Sequence, residues 1–369
     1  MSAGGATDDA AARRDRAYMR RALALARRGW GRTAPNPMVG AVVVRDGRIV
    51  GEGWHAEYGG PHAEVVALAA AGELARGATL YVTLEPCAHH GKTPPCTDAI
   101  LRNGIARVIV AARDPNPAAA GGLARLAAAG VRVEAGVEEA AARELDPPFF
   151  FRFRADRPWV TLKLALSVDG AIADHTRRPG WLTSPASRRQ VHRLRAAADA
   201  VAVGIGTALA DDPALTVRGV RAPRVPPRRV VFDREARLPL TSRLVRTAHD
   251  VPTLVLAARD DTARASALRA AGVEVLAAAT LDEAMRALAV RDVRSLLVEG
   301  GAALAGALLD RRLVDRLVIF QAPLLLGAGA LPAFATAPAR TVREARRLRV
   351  LSRRALADDL MTVYALDEP

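Results

Sequence analysis

Cys87 and Cys96 are the only thiols in a chain of 369 residues, and they follow the tripeptide His62-Ala63-Glu64. This set constrains the fold more than any other feature. The residues after His62 read Ala-Glu-Val-Val-Ala-Leu-Ala-Ala-Ala, good helix formers, so Glu64 lies within a turn of His62 at a helix start. The apolar run Thr79–Leu84 reads as a strand that delivers Pro86-Cys87 at its end. A fold that brings a helix N-terminus to a strand end is a layered α/β fold.

Zinc that activates water takes three protein ligands and keeps one position open. His62, Cys87 and Cys96 supply three. His-x-Glu followed by Pro-Cys is the pattern of zinc nucleobase deaminases, in which the glutamate moves protons and does not bind metal. Here the second half is stretched, with eight residues between the thiols. His89 and His90 lie in that interval and are alternative ligands, but the His-Ala-Glu unit accounts for the acid/base as well as a ligand. A disulfide is the competing reading of two thiols. The chain start has no basic segment followed by an apolar one, so export is not expected and a reducing cytoplasm is the expected location. A non-enzymatic zinc scaffold needs a fourth protein ligand, and Glu64 speaks for an open, catalytic site.

The length predicts two or three domains, and 50% apolar residues suffice for their cores. Residues 1–14 read as a disordered tail. Beyond them come a helix over Asp15–Arg28, two strands over Val39–Val44 and Ile49–Trp54 joined at Asp46-Gly47, the helix after His62, and strand Thr79–Leu84. Then follow a helix near Thr97–Asn103, strand Arg107–Ala111, a helix over 122–129, strand Val131–Ala135 and a helix from Glu138. The pattern breaks at Arg154-Ala-Asp-Arg-Pro158, which divides the chain into a first domain over 15–154 and a second over 159–369. The second predicts strands at Val160–Leu166, Ala200–Val203, Val230–Phe232, Thr253–Ala257, Val273–Leu276, Leu296–Val298 and Leu317–Phe320, with helices between them. Leu317–Ala339 carries no charge over 23 residues, but its prolines and glycines argue for a strand and loop rather than a membrane span. Strand Leu296–Val298 runs into Glu299-Gly300-Gly301 and an alanine-rich helix, a turn that offers N–H groups to phosphate. Gly204-Ile-Gly206 lacks the third glycine of a dinucleotide fingerprint, having leucine at 209.

The net charge of +14 raises nucleic acid as a partner. Its distribution argues against one: the arginines are scattered, aromatic residues make up 4%, and no basic run is interleaved with stacking residues. A deaminase acting on tRNA stays as the alternative, to be recognised by salt-steep RNA affinity. Only two of the 53 basic residues are lysine, Lys92 and Lys163, which marks both as candidate functional residues.

The chain resembles the bifunctional riboflavin-biosynthesis family, a diaminohydroxyphosphoribosylaminopyrimidine deaminase fused to a 5-amino-6-(5-phosphoribosylamino)uracil reductase. The resemblance spans about Tyr18 to Ala365. It is carried by Pro35-Asn-Pro-Met-Val-Gly40, Pro61-His-Ala-Glu-Val65, Val82–Cys96 including the long insert, Asp114-Pro-Asn-Pro117, Leu162–Gly170, Trp181-Leu-Thr-Ser184, Ala210–Arg218 and Val298-Glu-Gly-Gly301. It implies a cytidine-deaminase-like layered domain holding one catalytic zinc on His62, Cys87 and Cys96, with Glu64 as acid/base. Asn36 is implied to contact the pyrimidine, and His55, His89, Lys92, Asp114 and Asn116 the ribose phosphate end. The second domain is implied to be a dihydrofolate-reductase-like α/β domain using NADPH, with Lys163, Asp211 and Glu299 catalytic. Arg195, Leu215, Arg218 and Glu299 match substrate contacts. Leu166, Trp181, Thr207, Asp211, Arg234 and the run Gly301, Ala302, Ala303, Leu304, Ala305, Gly306 and Ala307 match the cofactor side. Two departures stand out: Arg177-Arg-Pro-Gly180 precedes Trp181 where a serine is common, which weighs against a cofactor contact at Pro179, and Arg234 replaces a frequent serine, which suits the 2′-phosphate of NADPH. Small-molecule substrates, no membrane and a homo-oligomeric assembly are expected.

Overall fold

The computed structural model describes residues 3–178, 180–334, 336–337 and 340–366. Pro179 lies outside them. The chain forms two compact units, Met1–Arg154 and Ala155–Pro369.

In the first unit a five-stranded sheet runs in the order Arg48–Trp54, Gly40–Arg45, Thr79–Leu84, Arg107–Ala112, Arg132–Ala135. The first two strands form a hairpin because Asp46 and Gly47 both take left-handed φ, 50° and 73°, which a two-residue turn requires. Strand Gly40–Arg45 is antiparallel to Thr79–Leu84, and the last three strands are parallel.

Side chains alternate across the sheet. Val43, Leu80, Val82, Val108 and Val110 pack on helices Ala63–Ala71, Cys96–Arg102 and Gly122–Ala128, while Val42, Tyr81 and Ile109 pack on the first helix through Met19, Ala22 and Leu25. Gly51 and Gly53 let helix Ala63–Ala71 lie close: a Cβ on either would fall 2.2 Å from the Ala67 oxygen or 2.4 Å from that of Ala63. That contact fixes the height of His62 and Glu64 above the sheet.

The first helix runs Ala3–Ala26, so most of the segment expected as a disordered tail is helical instead. Its alanines favour helix, and Asp9 and Arg13 pair across one turn at 2.9 Å.

The second unit is built on a nine-stranded sheet ordered Glu274–Ala277, Thr253–Ala257, Arg228–Phe232, Ala200–Gly204, Ser295–Glu299, Trp159–Leu166, Arg316–Gln321, Asp359–Ala365, Arg349–Leu356. The first seven are parallel, Asp359–Ala365 pairs antiparallel to Arg316–Gln321, and Arg349–Leu356 pairs antiparallel to Asp359–Ala365. Helices cover both faces, so the central strands are apolar on both sides: Val201, Val203, Val231 and Val255 on one, Ala200, Ala202, Val230 and Leu254 on the other. The hairpin Arg349–Leu356/Asp359–Ala365 was not expected from the sequence. No helix among the described residues is long and apolar enough to cross a membrane, and Leu317–Ala339 begins as strand Arg316–Gln321.

Candidate active sites

His62 caps helix Ala63–Ala71 in an extended conformation, which turns its ring toward the end of strand Thr79–Leu84. Cys96 opens helix Cys96–Arg102 behind Pro95. The His62 Nδ1 atom lies 3.1 Å from Cys96 Sγ and 3.6 Å from Cys87 Sγ. Ligand atoms of these three residues all lie within 4.8 Å of one another, and His89 and His90 are not part of that cluster. Both thiols are free and buried.

One imidazole and two thiolates are a donor set suited to zinc, and three ligands leave a fourth position for water. The Cys96 amide donates to Cys87 Sγ at 3.3 Å. Cys87 is held down at about 4, chiefly because the Cys96 thiol donates to it, while that donation pushes Cys96 up. Glu64 is 3% exposed, and burial pushes its carboxyl up, in the sense that suits a group that must hold a proton.

His55 is 2% exposed. Its Nδ1 donates to the Pro61 oxygen at 3.0 Å, which leaves Nε2 to accept from Asn36 Nδ2 at 3.3 Å. Its ring meets that of His62 edge-on at 5.4 Å. Both nitrogens of His55 are thus engaged within the protein, and Asn36 beside it is part-buried.

The insert between the thiols is pinned at both ends, since Thr97 N–H and Oγ1 both bond to the Cys87 oxygen. His89 and Lys92 are exposed on it, with the Lys92 ammonium 4.2 Å from the centre of the Tyr58 ring. Asp114 accepts the Asn116 amide at 2.8 Å, and burial raises its carboxyl to about 6. Buried Glu85 receives the amides of Asp114, Gly121 and Leu123. Tyr58 and Glu85 were not singled out from sequence; Glu85 could have been, as an acid next to Pro86-Cys87.

In the second unit Lys163 and Glu299 are register partners on adjacent parallel strands. Helix Pro185–Ala196 sends Arg195 to Glu299 as a two-pronged fork, with Nη2 to Oε2 at 2.9 Å, and Arg195 Nη1 donates to the Thr216 oxygen at 2.9 Å. Burial pushes Glu299 up, but attraction to Arg195 and its hydrogen bonds outweigh that and lower it. Burial lowers Lys163, Glu299 and Asp211 oppose that, and Arg195 adds to it. Asp211, at the end of helix Ile205–Asp211, is therefore within electrostatic reach of Lys163.

Gly301 caps helix Ala302–Asp310 without a side-chain cap, which leaves first-turn N–H groups of Ala302, Ala303 and Leu304 open. A Cβ on Gly301 would fall 3.0 Å from Thr207 Oγ1, so glycine keeps this corner clear beside Thr207. Ala305 N–H is taken by the Gly301 oxygen, and Ala305 and Gly306 are buried. Leu166 and Leu215 are buried, and Trp181 is 79% exposed with Arg188 over its ring at 4.9 Å. Arg218 and Arg234 are exposed, and Arg234 Nη1 donates to the Ala279 oxygen at 2.8 Å.

Residues 12–112 match the cytidine and deoxycytidylate deaminase zinc-binding region, and residues 158–362 match the RibD C-terminal domain. The second match covers more than half of the chain. The chain belongs to the RibD family. It is 43% identical to riboflavin biosynthesis protein RibD of Aquifex aeolicus over 353 residues, 95% of this chain and 98% of that one. It is 44% identical to RibD of Escherichia coli, over 86% of this chain and 89% of that one.

Among solved structures, Acinetobacter baumannii RibD superposes with a TM-score of 0.85 at 37% identity, covering 97% of this chain and 100% of that chain. A Thermotoga maritima deaminase/reductase does so at 0.85 and 36%, covering 96% and 99%. This chain is thus a bifunctional deaminase and reductase of riboflavin biosynthesis, with zinc serving the first activity and NADPH the second.

Proposed function

We propose that the first unit deaminates 2,5-diamino-6-(5-phosphoribosylamino)pyrimidin-4-one and that the second reduces the ribosyl group of the product to a ribityl chain. The observation that carries the first half is the convergence of His62, Cys87 and Cys96 beside buried Glu64. Zinc bound there supplies a Lewis acid that makes water nucleophilic near neutral pH. Glu64 takes the water proton and returns protons to the ring nitrogen and the departing ammonia. Asn36, oriented by His55, contacts the pyrimidine. His89, Lys92, Asp114 and Asn116 receive the ribose phosphate, with the Tyr58 ring holding Lys92 in place.

For the reduction, NADPH supplies a hydride for C1′. Thr207, the open turn at Gly301 and the first turn of the helix behind it would hold its phosphates, Leu166 and Trp181 would contact it, and Arg234 would take its 2′-phosphate. Lys163 gives a proton to the ring oxygen as the sugar opens, and Asp211 supports its charge. Glu299, kept ionised by Arg195, accepts a substrate hydroxyl. Leu215 shapes the loop that presents Arg218 to the substrate phosphate. The domains run 15–154 and 159–369, and the enzyme works as a homo-oligomer in the cytoplasm.

The test is to supply the diaminopyrimidine substrate with and without NADPH and to follow ammonia and NADPH separately. Ammonia must appear in both cases and NADPH must be consumed only after it; NADPH consumption that precedes ammonia release contradicts the order.

A further inference from the structure

His192 lies on the same face of helix Pro185–Ala196 as Arg195, three residues away. Its Nδ1 accepts the backbone N–H of Arg218 at 3.2 Å. The segment that carries Arg218 follows helix Ile205–Asp211 and adopts two uncommon conformations, with Asp212 at φ 37° and Leu215 at φ 50°. Neither residue is glycine, so this shape persists only where neighbours hold it.

Four contacts do so. Asp212 Oδ1 receives the Arg243 amide at 2.7 Å, and the Leu215 side chain is buried at 2% exposure. The Thr216 oxygen receives Arg195 at 2.9 Å. His192 supplies the fourth, at the residue whose side chain stands exposed. An imidazole can accept there only while Nδ1 carries no proton. Burial, Arg195 and Arg218 lower its proton affinity and outweigh Glu299 and a hydrogen bond to the Thr216 backbone, which raise it.

We propose that His192 is a positioning residue of the reductase, whose neutral imidazole holds the Arg218 backbone so that the Arg218 side chain meets the substrate's 5-phosphate. The inference rests on Arg218 being the phosphate contact. His192 touches no reacting atom; it acts through Arg218.

The test compares His192→Asn, whose Oδ1 keeps an acceptor near the Nδ1 position, with His192→Leu, which fills similar space without one, and with Arg218→Ala. Each is assayed on the deaminated phosphoribosyl substrate and on the same compound without its phosphate. His192→Leu is expected to raise KM for the phosphorylated substrate by roughly five- to tenfold, with kcat unchanged and KM for the dephosphorylated compound unchanged. His192→Asn is expected to stay within about twofold of the unaltered enzyme. A poorly folded preparation lowers the active fraction on both substrates equally, so the ratio of the two KM values reads positioning alone. If Arg218→Ala raises that ratio and His192→Leu does not, the inference is overturned while the reading of Arg218 stands. If Arg218→Ala leaves the ratio unchanged, the phosphate assignment is overturned and the inference falls with it.

Discussion

Lys163 and Glu299 stand opposite one another on neighbouring parallel strands, with Nζ and Oε2 4.0 Å apart. Glu299 is the largest influence raising Lys163 against a burial that lowers it. A lysine that donates a proton loses activity as pH rises through its pKa. Glu299→Gln removes the attraction and leaves the repulsion of Arg195, so the alkaline limb of the reductase kcat/KM profile is expected at lower pH in Glu299→Gln than in the unaltered enzyme. A limb that stays in place or moves to higher pH contradicts a proton-donating Lys163.

Arg195 holds Glu299 by a fork of two hydrogen bonds in a largely buried setting. Arg195→Met strands a buried carboxylate, a loss of about 3 kcal/mol, and the second unit is expected to melt roughly 6–12 °C lower at neutral pH. The folded Glu299 is lowered, so the stability that Arg195 provides is present above the ordinary carboxylate range and fades as pH falls through the folded value. Melting curves must therefore converge on acidification; a gap that widens toward acid pH is the contrary result.

Arg234 is exposed at the end of strand Arg228–Phe232, with its guanidinium tethered to the Ala279 oxygen. Arg234→Ala is expected to lower the kcat/KM preference for NADPH over NADH by about tenfold, because NADH has no 2′-phosphate to lose. An unchanged preference removes Arg234 from the cofactor site.

The His62, Cys87 and Cys96 cluster was legible in the sequence because three ligands of two types and their acid/base sit in two short segments whose helix and strand propensities place them at element ends. The parallel core strands were legible for a similar reason, as continuous runs such as Val201–Val203 buried on both faces. The edge hairpin was not: strand Arg349–Leu356 is exposed along most of its length, carries Arg349, Arg353 and Arg354, and so shows no apolar alternation. Arg195 and Glu299 lie 104 residues apart, and only the sheet order and the helix between strands bring them together. His192 lacked any motif, since its role depends on which backbone N–H the loop at Leu215 turns toward it. Tyr58 was likewise invisible until the insert carrying Lys92 folded over it.

The claim that one chain holds two separate active sites is tested most directly by assaying Glu64→Gln and Lys163→Ala side by side for ammonia release and for NADPH oxidation on the already deaminated intermediate. Glu64→Gln is expected to lose ammonia release by about a hundredfold or more while keeping NADPH oxidation, and Lys163→Ala to do the reverse. Loss of both activities in either variant would contradict the account.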